Sequence, residues 1–144
     1  MHRGHSRPFV IVDAGGEVFQ AANRALERLR RRRPPIQISQ PAVAQQYLKD
    51  AFRHGSTPAA IIIRVHEQDD APLMLLDWIQ KQRAPLCFAR VLVVLDAEID
   101  ECNGALAVWM ENAFRHILHL SERGFAEELS AAVETRRRED VERA

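Results

Sequence analysis

Excess charge of either sign is absent from this sequence, because its 20 Lys and Arg residues balance 20 Asp and Glu residues. We therefore expect no overall field that draws the protein to nucleic acid or to an anionic membrane. No apolar run approaches the roughly 20 residues that a membrane span needs. Residues 1–7 also lack the apolar centre of a secretory signal. These absences predict a cytoplasmic protein without membrane or nucleic-acid partners.

Cysteine is scarce as well, and the chain contains only Cys87 and Cys102. Their spacing matches no metal-binding motif, so we expect two unpaired thiols in a reducing compartment rather than a disulfide. The six histidines are interpreted as surface or structural residues. His116 and His119, for example, fall on opposite faces of a predicted strand. We expect neither a metal site nor a cofactor.

Short apolar runs alternate with amphipathic segments along the whole chain, without a repeat or a low-complexity linker. The run at 59–65 includes Ile61, Ile62 and Ile63 and predicts a strand that is covered on both faces. The predicted strands are 9–12, 36–38, 59–65, 91–95 and 114–119, and the predicted helices are 17–31, 41–54, one from 72, 98–111 and 121–133. This alternation predicts an α/β fold, a three-layer, doubly wound sandwich around a five-stranded parallel sheet. Strand 36–38 is expected near a sheet edge.

Charged and polar residues stand where four of these strands end. They are Asp13, Arg64, Asp96 and His119. Because ligands bind at the carboxyl ends of the strands in open α/β sheets, we expect a shared site at this edge.

The order of these elements resembles the receiver domains of two-component response regulators, which have the CheY-like variant of the flavodoxin fold. Receivers carry a Leu-x-Leu-Leu-x-x-Ile run after the third strand, and here it reads Leu73-Met74-Leu75-Leu76-Asp77-Trp78-Ile79. Its offset from Arg64 equals the family's offset from the phosphorylated aspartate. The resemblance covers residues 8–134, predicted as one receiver-like domain that precedes a charged tail over 135–144. It implies a role in two-component, or phosphorelay, signal transduction.

The resemblance also shows how the reacting positions of the family have changed. The acidic pair that holds Mg²⁺ reads Asp13-Ala14, the phosphoacceptor is Arg64, the Ser or Thr position is Asp96, and the lysine position is His119. Arginine stays protonated and is not a nucleophile. Mg²⁺ also loses oxygen ligands and meets a fixed positive charge. We predict a pseudo-receiver that is not phosphorylated at the usual position, binds no Mg²⁺ usefully and is not an enzyme.

Three arrangements are open to Arg64. The favoured one is an internal ion pair with Asp13 or Asp96, which would lock one conformation. The other two are a side chain in solvent and a small anion bound between Arg64 and His119.

A protein-interaction function follows from the resemblance, because receivers dock partners on their fourth helix, fifth strand and fifth helix. The residues expected on this surface are Trp109, Met110, His116 and Phe125. Trp and Met are enriched at interfaces, although Trp109 packed on the sheet is an equal alternative. The expected partner is a histidine kinase, another regulator or a second copy of the chain.

Two further functions remain as alternatives. One is a flavodoxin-like binder of a small anion or cofactor that uses Arg64, Asp13, Asp96 and His119. The other is a conventional phosphoacceptor with a displaced aspartate, Asp69 or Asp70, although both lie beyond the strand end. The arginines over 28–33 are interpreted as charges favoured by a helix C-terminus, since no aromatic residues interleave them for base stacking.

Overall fold

The computed structural model describes residues 7–28, 34–56, 58–65, 70–82, 90–95, 116–119, 127 and 129–131. Its strands are β1 (Phe9–Val12), β2 (Ile36–Ile38), β3 (Ala60–Val65), β4 (Arg90–Leu95) and β5 (His116–His119), and its helices are α1 (Glu17–Arg28), α2 (Pro41–Arg53) and α3 (Ala71–Gln80). Residues 127 and 129–131 are helical too. The predicted helix over 98–111 and the predicted tail over 135–144 lie outside the described residues.

The described strands form one parallel sheet in the order β2-β1-β3-β4-β5. The β3 strand lies at its centre and pairs with β1 and β4, with Val12 opposite Ile63 and Ile63 opposite Val93. Every residue of β3 is buried, as the apolar run over 59–63 predicts for the residues before Arg64. The predicted parallel α/β architecture is confirmed. Among the described strands, β2 lies at one edge, also as predicted.

Helices cover both faces of this sheet. On one face, Ile62 of the central strand packs with apolar residues of α1 and with Leu129. On the other face, its neighbours Ile61 and Ile63 pack with α2 and α3. This alternation follows from the two-residue period of a strand. The three-layer prediction is therefore confirmed for the described residues.

Helix α2 begins at the predicted residue, Pro41, and ends at Arg53, one residue before the predicted end. Pro41 lies in the first turn, where a missing N–H costs nothing. After the helix, Gly55 adopts a φ of 72°. The N–H of Ser56 then bonds to the carbonyl of Ala51 at 2.7 Å, and that of Gly55 bonds to the carbonyl of Phe52 at 3.0 Å. This is the Schellman pattern that favours glycine after a helix.

None of the helices in the described ranges is long and apolar enough to cross a membrane.

We expect the interior face of α2 to carry much of the helix's contribution to stability. Leu48 is fully buried, whereas Val43 on the same helix is 53% exposed. Leu48→Ala should lower the free energy of unfolding by roughly 2–5 kcal/mol, because the cavity that it leaves refills poorly. Val43→Ala, the matched control, should change it by no more than about 0.5 kcal/mol. Urea denaturation measures both values, and equal losses would contradict this packing.

Candidate functional site

The register of the two strands β1 and β3 brings Asp13 and Arg64 side by side. Val12 lies opposite Ile63, so the residue that follows each of them reaches the same carboxyl edge of the sheet. Arg64 lies on the same face of β3 as Ile62, two residues earlier, and α1 covers this face. The two charged side chains therefore meet beneath the start of α1.

Asp13 stabilises the beginning of α1. Its Oδ2 accepts the backbone N–H of Val18 at 2.7 Å and that of Phe19 at 3.4 Å, and its Oδ1 accepts the N–H of Gly15 at 3.1 Å. The N–H groups of a first helical turn have no partner within the helix. A negative charge is also favoured at a helix N-terminus. The buried carboxylate at the end of β1 thus anchors the helix that follows it.

Arg64 forms ion pairs with two carboxylates through a single nitrogen. Its Nη1 donates to Oδ1 of Asp13 at 3.2 Å and to Oε1 of Glu17 at 3.2 Å. The Arg64 side chain is 7% exposed and that of Glu17 is 65% exposed. Salt screens a buried pair far less than a surface pair. The predicted ion pair with Asp13 is confirmed, and the alternative of an Arg64 side chain in solvent is wrong.

Three contacts around this pair do not follow from the sequence pattern. From the sequence, Glu17 predicts only the start of a helix. Its position in the first turn of α1, directly after β1, is the one signal that it lies near this edge. Gln37 of β2 donates from Nε2 to the main-chain oxygen of Asp13 at 3.2 Å, and nothing in its short strand indicates this contact. A Cβ on Gly15 would lie 3.0 Å from Nη1 of Arg64. The bare glycine backbone therefore lets the guanidinium lie close to the loop.

The structure locates only part of the site that the sequence predicts. Ala14 is exposed and has no donor or acceptor in its side chain. His119 is the last residue of β5, with its backbone opposite Leu95. Asp96 lies outside the described residues, so its contact with Arg64 stays a prediction.

The predicted partner surface falls mostly outside the described residues as well. Trp109, Met110 and Phe125 all lie there, and His116 is the first residue of β5. This surface also stays a prediction.

The described side chains at this edge do not fit a magnesium ion. Mg²⁺ requires oxygen ligands at about 2.0–2.1 Å. Here a guanidinium nitrogen lies against Oδ1 of Asp13, and backbone N–H groups bind both oxygens of that carboxylate. Ala14 supplies no ligand, and Arg64 places a positive charge where the resemblance puts the third carboxylate. Within the described ranges, no three His, Cys, Asp or Glu residues lie together as a metal site.

We expect the buried ion pair to be far more important for stability than an exposed one. Arg64→Ala should lower the free energy of unfolding by roughly 3–5 kcal/mol, since the buried Asp13 would lose its cation. The control is Lys81→Ala, because Lys81 pairs with Asp77 at 2.9 Å while 72% exposed. Loss of this exposed ion pair should lower the free energy of unfolding by no more than about 1 kcal/mol. Urea unfolding of both variants makes the comparison, and a negligible effect of Arg64→Ala would contradict the structural role.

Comparison with protein-family models finds no match, and comparison with curated proteins finds no significant match. Comparison with solved structures does find similar folds. A response regulator from Hahella chejuensis is 14% identical with a TM-score of 0.70, and the match covers 91% of this chain and 95% of that one. A bacteriophytochrome response regulator is also 14% identical, with a TM-score of 0.65 and coverage of 90% and 92%.

A pilus assembly-related protein from Burkholderia pseudomallei is 15% identical with a TM-score of 0.62, and the match covers 96% of this chain and 93% of that one. At sequence identities this low, the structural similarity establishes the fold but not the chemistry of the site. The match extends over most of each chain, and the parallel sheet with helices on both faces agrees with it. The fold of this chain is that of the response-regulator receiver domains.

Proposed function

We propose that this chain is a receiver-like module of two-component signalling that acts by protein–protein contact, without phosphorylation at position 64. The observation that carries the proposal is the buried guanidinium of Arg64. It stands where the resemblance places the phosphoacceptor, and it lies 3.2 Å from the carboxylate of Asp13. The receiver fold supports the signalling class, and Arg64 supports the absence of phosphorylation.

Arginine at this position removes the nucleophile that phosphorylation requires. A phosphoacceptor attacks with a carboxylate oxygen, whereas the guanidinium is a permanently charged donor without a reactive lone pair. Of the two described carboxylates that contact Arg64, the buried one, Asp13, is also held by the N–H groups of Gly15 and Val18. Attack by that carboxylate would first break those contacts. The proposal therefore assigns no catalytic activity to the chain.

The charge around Arg64 argues against the alternative of a small-anion site. Among the described residues, one guanidinium faces the two carboxylates of Asp13 and Glu17, so this group has a net charge of −1. An incoming anion would compete with both carboxylates for a nitrogen that already binds them. The same net negative charge would disfavour the phosphate of a cofactor. We therefore favour the interaction module over the anion binder.

Partner and location are parts of the same proposal. A histidine kinase, another regulator or a second copy of the chain would dock on the surface of Trp109, Met110, His116 and Phe125. A cytoplasmic location follows, because signalling partners of this kind present their receiver-binding domains there. Charge at position 64 would not change with the signal, so the module would offer the same surface at all times.

We expect the purified protein to remain unmodified when it is incubated with acetyl phosphate and Mg²⁺. The physical reason is that position 64 offers no nucleophile and that Asp13 is engaged in an ion pair. Intact-mass spectrometry measures any added phosphoryl group, with a receiver that carries the full acidic set as the positive control. A phosphoryl group mapped to Asp69 or Asp70 would overturn the proposal in favour of a displaced acceptor.

A further inference from the structure

A lysine and a tryptophan connect two helices on one face of the sheet. The ammonium of Lys49 on α2 lies 5.9 Å from the centre of the Trp78 ring on α3. Trp78 is half-buried, because it also packs against the core beneath these helices. A cation–π contact of this kind orients the ammonium but does not neutralise its charge. The pair therefore leaves a positive charge beside a partly exposed aromatic ring.

A methionine extends the apolar part of this surface along α3. Met74 precedes Trp78 by four residues, and residues four apart lie on the same side of a helix. It is 70% exposed, and Val43 is the only other exposed large hydrophobic residue in the described ranges. Met and Trp are enriched at protein interfaces. This side of α3 is therefore suited to contact with an apolar side chain of another molecule.

A second cation extends the charged part of the surface along α2. Arg53 follows Lys49 by four residues, so both lie on the same side of the helix, and both are exposed. In the part of the chain that the structure describes, neither pairs with a carboxylate, whereas Lys81 after α3 pairs with Asp77 at 2.9 Å. The helix dipole favours Arg53 in the last turn, but it does not account for Lys49 one turn earlier. Because like charges at this spacing repel each other, carboxylates from another molecule would stabilise both cations.

We propose that Lys49, Arg53, Met74 and Trp78 form a docking surface, named the α2–α3 surface, for an acidic amphipathic segment of another protein. Carboxylates of that segment would pair with the two cations, and an apolar side chain would pack on the methionine and the ring. The proposal goes beyond the proposed function, which assigns partners to the surface that includes His116 of β5. That strand lies at the opposite edge of the described sheet from β2, which α2 contacts.

The size of the α2–α3 surface fits a short helical segment. Both helices follow strands of one parallel sheet, so they run in the same direction. Met74 and Arg53 then lie one helical turn to either side of the pair of Lys49 and Trp78, roughly 12 Å apart along the helix axes. About two turns of a partner helix span this distance.

The charges around this surface favour a protein segment over nucleic acid or a membrane. Binding to nucleic acid strengthens with each phosphate that a protein neutralises, and this surface offers only two cations for that purpose. Asp50 and Asp77 are the sequence neighbours of Lys49 and Trp78 and would repel a continuous row of phosphates. An acidic segment can instead place a few carboxylates opposite the cations and an apolar residue opposite the ring.

The test is a titration of the full chain with a synthetic helical peptide, followed by amide NMR shifts. One side of the peptide carries two glutamates four residues apart and a leucine one turn further on. We expect saturable shifts in α2 and α3 around Lys49 and Trp78. Lys49→Glu combined with Arg53→Glu should lower the affinity about tenfold or more. A peptide with lysines in place of the glutamates should bind that variant and not the wild type. Met74→Ser should lower the affinity for the acidic peptide about fivefold or more.

Matched controls come from exposed residues outside the α2–α3 surface. Val43→Ser removes the other exposed apolar side chain, which lies about 120° around α2 from Lys49. Arg24→Glu reverses an exposed charge on α1, which covers the opposite face of the sheet. Both should keep the wild-type affinity within about twofold. Because every replaced side chain is exposed, the variants should fold, and Arg53→Glu alone serves if the double variant does not.

Several outcomes would overturn the proposal. One is the absence of saturable shifts with the acidic peptide, and another is equal binding of the acidic and the basic peptide. Tighter binding of duplex DNA or of anionic vesicles, lost on charge reversal, would assign the surface to phosphates instead. Self-association of the wild type that Met74→Ser abolishes would make a second copy the occupant. All of these leave the proposed function intact, whereas phosphorylation by acetyl phosphate would overturn that function and leave the peptide result standing.

Discussion

A buried ion pair between two neighbouring strands holds the carboxyl edge of this sheet together. Arg64 of β3 and Asp13 at the end of β1 are almost fully removed from solvent, and their atoms lie 3.2 Å apart. Burying two charges costs several kcal/mol per ion. Their mutual attraction offsets this cost only when further hydrogen bonds satisfy the remaining donors and acceptors of both groups. Backbone N–H groups of the following loop and of α1 provide such bonds to Asp13. One interaction therefore connects β1, β3 and α1.

This edge is also the place where open parallel sheets bind their ligands. In the present chain, side chains of the protein occupy it. The guanidinium of Arg64 contacts the buried Asp13 and the exposed Glu17 at the start of α1, so the cation that both carboxylates face is part of the chain itself. Under the proposed function, a receiver-like fold with such an edge would lack the usual input of a receiver, which is a carboxylate that gains a phosphoryl group. Its function would then depend on the contacts that its surface makes.

Much of this arrangement could be predicted from the sequence, because it depends on short-range periodicity. The apolar run at the start of β3 indicates a strand covered on both faces, and Pro41 and Gly55 mark the limits of α2. A period of two residues also explains why Arg64 lies on the α1 face of the sheet. The contact with Glu17 was harder to predict, since a long and exposed side chain can reach in many directions. Predictions about Asp96 and the Trp109 surface remain predictions.

Residue types and their spacing alone were enough to predict the α/β alternation and to show that residue 64, an arginine, is not a nucleophile. Both follow from local chemistry: backbone periodicity in the first case and the permanent charge of arginine in the second. Which carboxylates pair with Arg64 is determined only by the tertiary structure. Nη1 meets Asp13 and Glu17 because Val12 pairs with Ile63, which lie 51 positions apart, and because α1 starts directly above that pair. Strand register and helix placement are long-range properties, and no local pattern in the sequence encodes them.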